Sequence, residues 1–139
     1  MALNVEQLKN WLGVDADVRF VGKQEQMEEI LAVSDIFLLP SDYESFGLAA
    51  LEAMAARAIV ISSNAGGLPE INIHGTTGFM ANVGDVKAMS EFALTVLQDD
   101  NKLQEMKENA YLHACKFDIK HIIPVYEKLY SRFCRMTIN

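Results

Sequence analysis

Two short runs, Asp35 to Leu39 (DIFLL) and Ile59 to Ile61 (IVI), are apolar almost throughout. A strand with one face in water alternates apolar and polar residues. A continuous apolar run belongs to a strand covered on both faces, the usual condition of a parallel sheet between helices. Between the two runs, Phe46 to Arg57 spaces Leu48, Leu51, Glu52 and Ala55 three and four apart. Its alanines (Ala49, Ala50, Ala53, Ala55, Ala56) favour helix and let the backbone lie close to a sheet. Strand, helix and strand in that order predict an α/β fold with a mainly parallel sheet.

The flanking segments extend the alternation. Asn4 to Leu12 reads as a helix capped by Asn4 with Gln7 three residues on, and Gly13 ends it. Val18 to Val21 reads as a strand stopped at Gly22. Gln24 to Val33 reads as a helix with Met27, Ile30 and Leu31 inward. Ser62 to Pro69 reads as a loop, and His74 to Gly78 as a turn into a weak strand, Phe79 to Ala81. Asp85 caps a helix to about Leu97, and a further helix runs from about Asn101 to Cys115. The tail carries Ile119, Ile122, Ile123, Tyr126, Leu129, Tyr130 and Phe133 at helical spacing. Pro124 falls inside it, so a helix start or a kink is expected there.

At 139 residues the chain is one domain or part of one. Acidic residues outnumber basic ones 19 to 12, for a net charge of −7. That argues against the basic stripe of a nucleic-acid surface. Cys115 and Cys134 form no CxxC, so reduced thiols in a cytosolic protein are expected. His74, His113 and His121 are scattered, which argues against a metal site. No apolar run approaches a membrane span, and the first residues do not read as a signal peptide. A cytoplasmic location is expected.

Ligands of open α/β sheets sit outside the carboxyl ends of the strands. The richest such loop here runs from Pro40 into Glu44-Ser45-Phe46-Gly47. Gly47 would let a ligand approach the start of the next helix, where free N–H groups and the helix dipole favour a phosphate. The same residues also suit an ordinary strand–turn–helix connection with Ser45 as N-cap. Gly66-Gly67 before Leu68-Pro69-Glu70 could add backbone amides, although such a pair is often only a turn. Glu44 and Glu52 do not suit an acid/base pair, because eight residues of helix rise about 12 Å. Separate hydrogen-bonding roles fit them better, and carboxylates accept well from sugar hydroxyls.

Over Pro40 to Glu70 the chain resembles the donor-binding signature of retaining nucleotide-sugar glycosyltransferases of family 4. The matching parts are Glu44 and Glu52 separated by seven residues, Ser45-Phe46-Gly47-Leu48, Glu52-Ala53-Met54-Ala55, and Gly66 to Glu70. The resemblance continues through His74-Gly75, Gly78-Phe79 and Gly84-Asp85. The tail resembles, more faintly, the bacillithiol-pathway branch that transfers N-acetylglucosamine to L-malate. The resemblance implies a Rossmann-like parallel sheet with flanking helices, an incomplete C-terminal domain of a two-domain GT-B enzyme. In it, residues 117–134 form a helix crossing to an N-terminal domain that is missing here.

It also implies roles. Glu44, the candidate catalytic residue, would hold and place the donor sugar. Ser45, Phe46, Gly47 and Leu48 would lie against sugar and diphosphate, with Gly66 and Gly67 closing over them. Glu52 would accept from the ribose hydroxyls. The donor would be a nucleoside diphosphate sugar, UDP-linked, bound without metal or cofactor. The acceptor stays open: L-malate or another small molecule. The pattern usually has glycine and proline where Arg57 and Ile59 stand, so a looser turn is expected there. An open sheet edge or the C-terminal helix would permit self-association. The isolated chain is expected to be inactive as a transferase. The alternative from another class is a non-catalytic nucleotide- or protein-binding module on the same scaffold.

Overall fold

The computed structural model describes residues 4–136, with side chains through Phe133. Helix α1 (Val5–Leu12) starts at a full capping box, in which Asn4 accepts from Gln7 N at 2.8 Å and donates back to Gln7 at 3.1 Å. Then come α2 (Met27–Ala32), β1 (Ile36–Leu39), α3 (Leu48–Ala55), β2 (Ile59–Ser63), a one-turn α4 (Leu68–Ile71) and β3 (Gly78–Ala81). The chain ends with α5 (Val86–Leu97), α6 (Asp100–Ala114), a 3-10 turn (Cys115–Phe117) and α7 (Ile119–Met136). The three strands form one parallel sheet in the order β1-β2-β3.

Central β2 is buried at every position. Its alternation splits the core in two. Val60 joins Ala53, Met54, Leu68, Ile71 and Ala110 on one face, where Phe37 and Leu39 of β1 also pack. Ile59 and Ile61 join Phe79, Met89, Val96 and Met106 on the other. Helix α6 serves both clusters, through Ala110 and Ala114 on one side and Leu103 and Met106 on the other. The expectation of strands covered on both faces therefore holds for β2. At β1 it holds only in part, because Leu38 is 55% exposed.

Several boundaries differ from expectation. Val18 to Val21 forms no strand, and Phe20 and Val21 are exposed. A strand exists through the ladder it makes with a neighbour, and no strand among the described residues lies beside this segment. Helix α2 begins at Met27 instead of Gln24, because the Gln24 side chain donates to the Val21 carbonyl and holds the approach as a loop. Ser62 and Ser63 extend β2 instead of opening a loop, paired with Met80 and Ala81. Pro124 neither begins nor ends α7 but lies in its second turn.

The Arg57 turn is tight, contrary to the expectation from losing glycine. Arg57 itself takes the left-handed conformation at φ 66°. Ala58 N donates to Ala53 O at 2.9 Å and Arg57 N to Met54 O at 3.0 Å. These two bonds complete a Schellman closure of α3. The side chain explains how a non-glycine residue holds this conformation: its guanidinium lies 4.1 Å from the Tyr111 ring centroid and pairs with Glu108, both on α6.

Asn72 is the polar node of the core and was not visible as one in the sequence. Fully buried, its amide nitrogen shares its two hydrogens among Val60 O, Ser62 Oγ and Phe79 O, each 3.0–3.1 Å away, while its oxygen accepts from Thr77 Oγ1 at 3.1 Å. It ties β2 to β3 at the point where the chain between them returns to the sheet.

Candidate functional site

Beyond Leu39 the chain leaves the sheet edge at Pro40 and runs irregularly to Gly47. Two anchors fix its path. Ser63 Oγ, at the end of β2, donates to the Ser41 carbonyl. Gly67 N donates to the Glu44 carbonyl at 3.0 Å. The two loops meet so closely that a Cβ on Gly66 would stand 1.7 Å from that carbonyl oxygen. One on Gly67 would stand 2.7 Å from Ser45 O. The glycine pair is therefore needed for backbone-to-backbone contact beneath the loop. The Gly67 amide is committed to Glu44, while Gly66, at φ 53°, stays exposed.

The loop ends at Gly47, which takes φ 94° and acts as N-cap of α3. This corrects both the helix start expected at Phe46 and the cap expected from Ser45, since no side chain caps α3. A positive φ is easy only for glycine. Space here also favours it, because a Cβ would meet Leu68 Cδ2 at 2.8 Å. Glu44 folds back so that its Oε1 accepts from Gly47 N at 3.2 Å. The next N–H groups, of Leu48 and Ala49, are those that any helix start leaves without an intrahelical acceptor. The positive end of the α3 dipole lies here too.

Phe46 and Leu48 are exposed on either side of Gly47. Phe46 rests edge-on against Phe117, centroids 6.4 Å apart, and Phe117 in turn meets His113 at 5.4 Å. His113 Nε2 is buried with no partner among the described residues. Desolvation holds the His113 pKa below the ordinary value of 6.5, assisted by Lys116 and opposed by a hydrogen bond to the Ile71 backbone. This aromatic support was missed in the sequence, because the 3-10 turn that carries Phe117 has no periodic signature.

Glu52 lies midway along α3 and is exposed, so no buried partner is required for it. It faces an open groove of about 840 Å³ between α2 and α3, together with Glu25, Glu28, Glu29, Met27 and Leu31. Glu44, Ser45, Phe46, Gly47 and Leu48 are thus brought together at the start of α3, over Gly66 and Gly67. Glu52 lies on the same helix at the groove. No group of three or more potential metal ligands occurs among the described residues. No helix among them is long and apolar enough to cross a membrane.

A sequence profile described as "Glycosyl transferases group 1" matches residues 3–113, which include Glu44 to Leu48, Glu52, Gly66 and Gly67. The chain belongs to the group 1 glycosyl transferases. Among curated relatives in the family, the N-acetyl-alpha-D-glucosaminyl L-malate synthase of Bacillus anthracis is 39% identical over 125 residues. The match covers 89% of this chain and 33% of that protein. HepE of Anabaena, solved in complex with UDP, superposes with a TM-score of 0.84 at 27% identity, over 91% of this chain and 36% of HepE. HepE has also been solved with UDP-glucose. The C-terminal domain of a group 1 family glycosyl transferase, LpcC of Francisella tularensis, matches with a TM-score of 0.73 at 26% identity. It covers 82% of this chain and 60% of that one.

The chain spans about a third of the length of the curated relatives it matches. The family and fold expected from the Pro40–Glu70 resemblance are borne out. The α/β unit, a three-stranded parallel sheet flanked by helices, matches the C-terminal domain of GT-B glycosyl transferases.

Proposed function

We propose that the chain is the donor-binding part of a retaining glycosyltransferase that takes a sugar from a nucleoside diphosphate, UDP above all. The observation that carries the reading is the start of α3. Its N–H groups have no side-chain cap, Gly47 turns the chain into the helix at φ 94°, and Glu44 is pinned beside it. A diphosphate at this point gains the helix dipole and the amides of Leu48 and Ala49. In this reading the second oxygen of Glu44 accepts from hydroxyls of the sugar. Glu52, at the groove, accepts from the ribose, with the base over Met27 and Leu31. The complexes of HepE with UDP and UDP-glucose support the same donor class.

Transfer in this reading comes from orienting the donor and stabilising the departing diphosphate. It calls for no metal and no cofactor. Residues 1–139 act as one donor unit, with residues 117–134 crossing to an acceptor-binding domain, in a cytoplasmic enzyme. The Bacillus relative points to L-malate or another small acceptor. Self-association through the outer edge of β1 or through α7 belongs to the same reading, supported by the exposure of Leu38 and of the α7 apolar face.

Calorimetric titration of the purified chain with UDP tests it. Binding is expected, and Glu52→Ala is expected to weaken it about tenfold, the worth of one charged hydrogen bond. The isolated chain is expected to transfer no sugar. No binding by a folded chain, or wild-type affinity in Glu52→Ala, would contradict the reading.

A further inference from the structure

Glycine at position 47 lets the chain turn into α3 at φ 94°, but a residue without a side chain does nothing to hold that turn. Its neighbours do. Leu68 and Ile71 of α4 fill the space where a Cβ on Gly47 would stand, at 2.8 and 3.3 Å. Phe46 is held at two points. Its Cα lies 3.0 Å from where a Cβ on Gly67 would stand, and its ring meets Phe117 at 69° with centroids 6.4 Å apart. Phe117 is fixed in turn, packed against the core cluster that includes Ala50, Leu68 and Ile71. Its ring also meets His113, 5.4 Å away, and His113 is hydrogen-bonded to the Ile71 backbone. The supports therefore join. Gly47 rests on Ile71, Ile71 holds His113, His113 holds Phe117, and Phe117 holds Phe46, the residue before Gly47.

We propose that Phe117 is a positioning residue for the donor: it holds Phe46, and through Phe46 it sets the amides of Leu48 and Ala49 where they receive a diphosphate. The proposal rests on the donor reading above. Phe46 is 41% exposed, so its ring gains its place from Phe117 more than from burial. A core role alone would account for a buried Phe117 ring, but not for its edgewise contact with an exposed phenylalanine of the donor loop. Amides fixed before the ligand arrives bind it more tightly, because their ordering is not charged to binding. The effect is confined to the turn. The body of α3 is held by the burial of Ala50, Leu51, Ala53 and Met54, so Glu52 and the nucleoside groove do not depend on Phe117.

The test is titration of the whole chain with UDP by calorimetry and with uridine by backbone amide NMR. Phe117→Leu keeps most of the apolar volume and removes the ring. It is expected to weaken UDP about fivefold, the worth of one aromatic pair, and to leave uridine binding as in wild type. Phe117→Tyr keeps the ring and restores UDP binding. In a Phe46→Leu background, Phe117→Leu costs nothing further, because the two rings act as a unit. Without ligand, the amide signals of residues 46–49 already move in Phe117→Leu. Circular dichroism checks that each variant is folded, and Phe117→Met, a flexible filler of the same space, takes the place of a leucine variant that does not fold. A folded Phe117→Leu with wild-type UDP affinity or unmoved 46–49 amides overturns the proposal. So do equal losses for UDP and uridine, additive losses in the double variant, or a tyrosine variant as weak as the leucine one. These outcomes spare the donor reading. A wild-type chain that binds no UDP removes that reading and the proposal with it.

Discussion

The carbonyl oxygen of Glu44 lies 1.7 Å from where a Cβ on Gly66 would stand. The loop that carries the candidate sugar ligand therefore rests directly on residue 66. Gly66→Ala adds a left-handed alanine and a clash with rigid backbone at once. It is expected to destabilise the fold by about 2 kcal/mol or more. In a folded sample it displaces Glu44, so UDP affinity falls further than the stability loss alone explains. Denaturant unfolding and calorimetry on the same preparation check both parts.

Arg57 gives a test in which two effects oppose. Arg57→Gly relieves a left-handed non-glycine residue, worth about 1 kcal/mol. It also removes the Tyr111 contact and the half-exposed Glu108 pair, worth together about 1 kcal/mol. The net change is expected to be small. Arg57→Ala loses the contacts and keeps the backbone cost, so it is the less stable of the two variants. Thermal unfolding of both, side by side, decides it.

The fully buried Asn72 amide nitrogen shares its two hydrogens among three surrounding oxygens. Asn72→Asp keeps the shape but turns a donor toward those oxygens into a buried acceptor. A loss of about 3 kcal/mol or more is expected, read as a lower denaturation midpoint. A variant as stable as wild type would remove Asn72 from its place as the node between β2 and β3.

His113 sets a pH dependence with a defined sign. Desolvation holds its folded pKa below 6.5, so the unfolded chain binds the proton more readily. Stability contributed by the neutral ring is complete above 6.5 and is lost as pH falls from there through the lower folded value. His113→Phe is expected to flatten that part of the profile. Equilibrium unfolding at a series of pH values, wild type against variant, measures the difference.

The fold was legible where periodicity met punctuation. Asn4, Gln7 and Gly13 marked α1, the IVI run marked β2, and Asp85 marked the start of α5, with its side chain accepting from Ala88 N at 2.9 Å. The segment Val18–Val21 misled because strand propensity is local and a ladder needs a neighbour. At the site, Glu44 to Leu48 were readable as a cluster because they are contiguous. Other parts depend on contacts across the sequence that no local pattern records. Among these are the Gly66–Glu44 packing, the Phe46–Phe117–His113 support and the rescue of Arg57 by Tyr111. Gly47 reads in the sequence as clearance for a ligand, whereas in the structure its missing Cβ makes room for Leu68 and its φ of 94° sets where α3 begins.

The central claim, a diphosphate held at the start of α3 with ribose at Glu52, is tested most directly by backbone amide NMR of the chain titrated with UDP. The expected result is saturable movement of the Phe46, Gly47, Leu48 and Ala49 amides, together with signals around Glu52, along a single binding curve. Signals at residues 46–49 that stay fixed while the chain binds UDP elsewhere, or binds none, would contradict it.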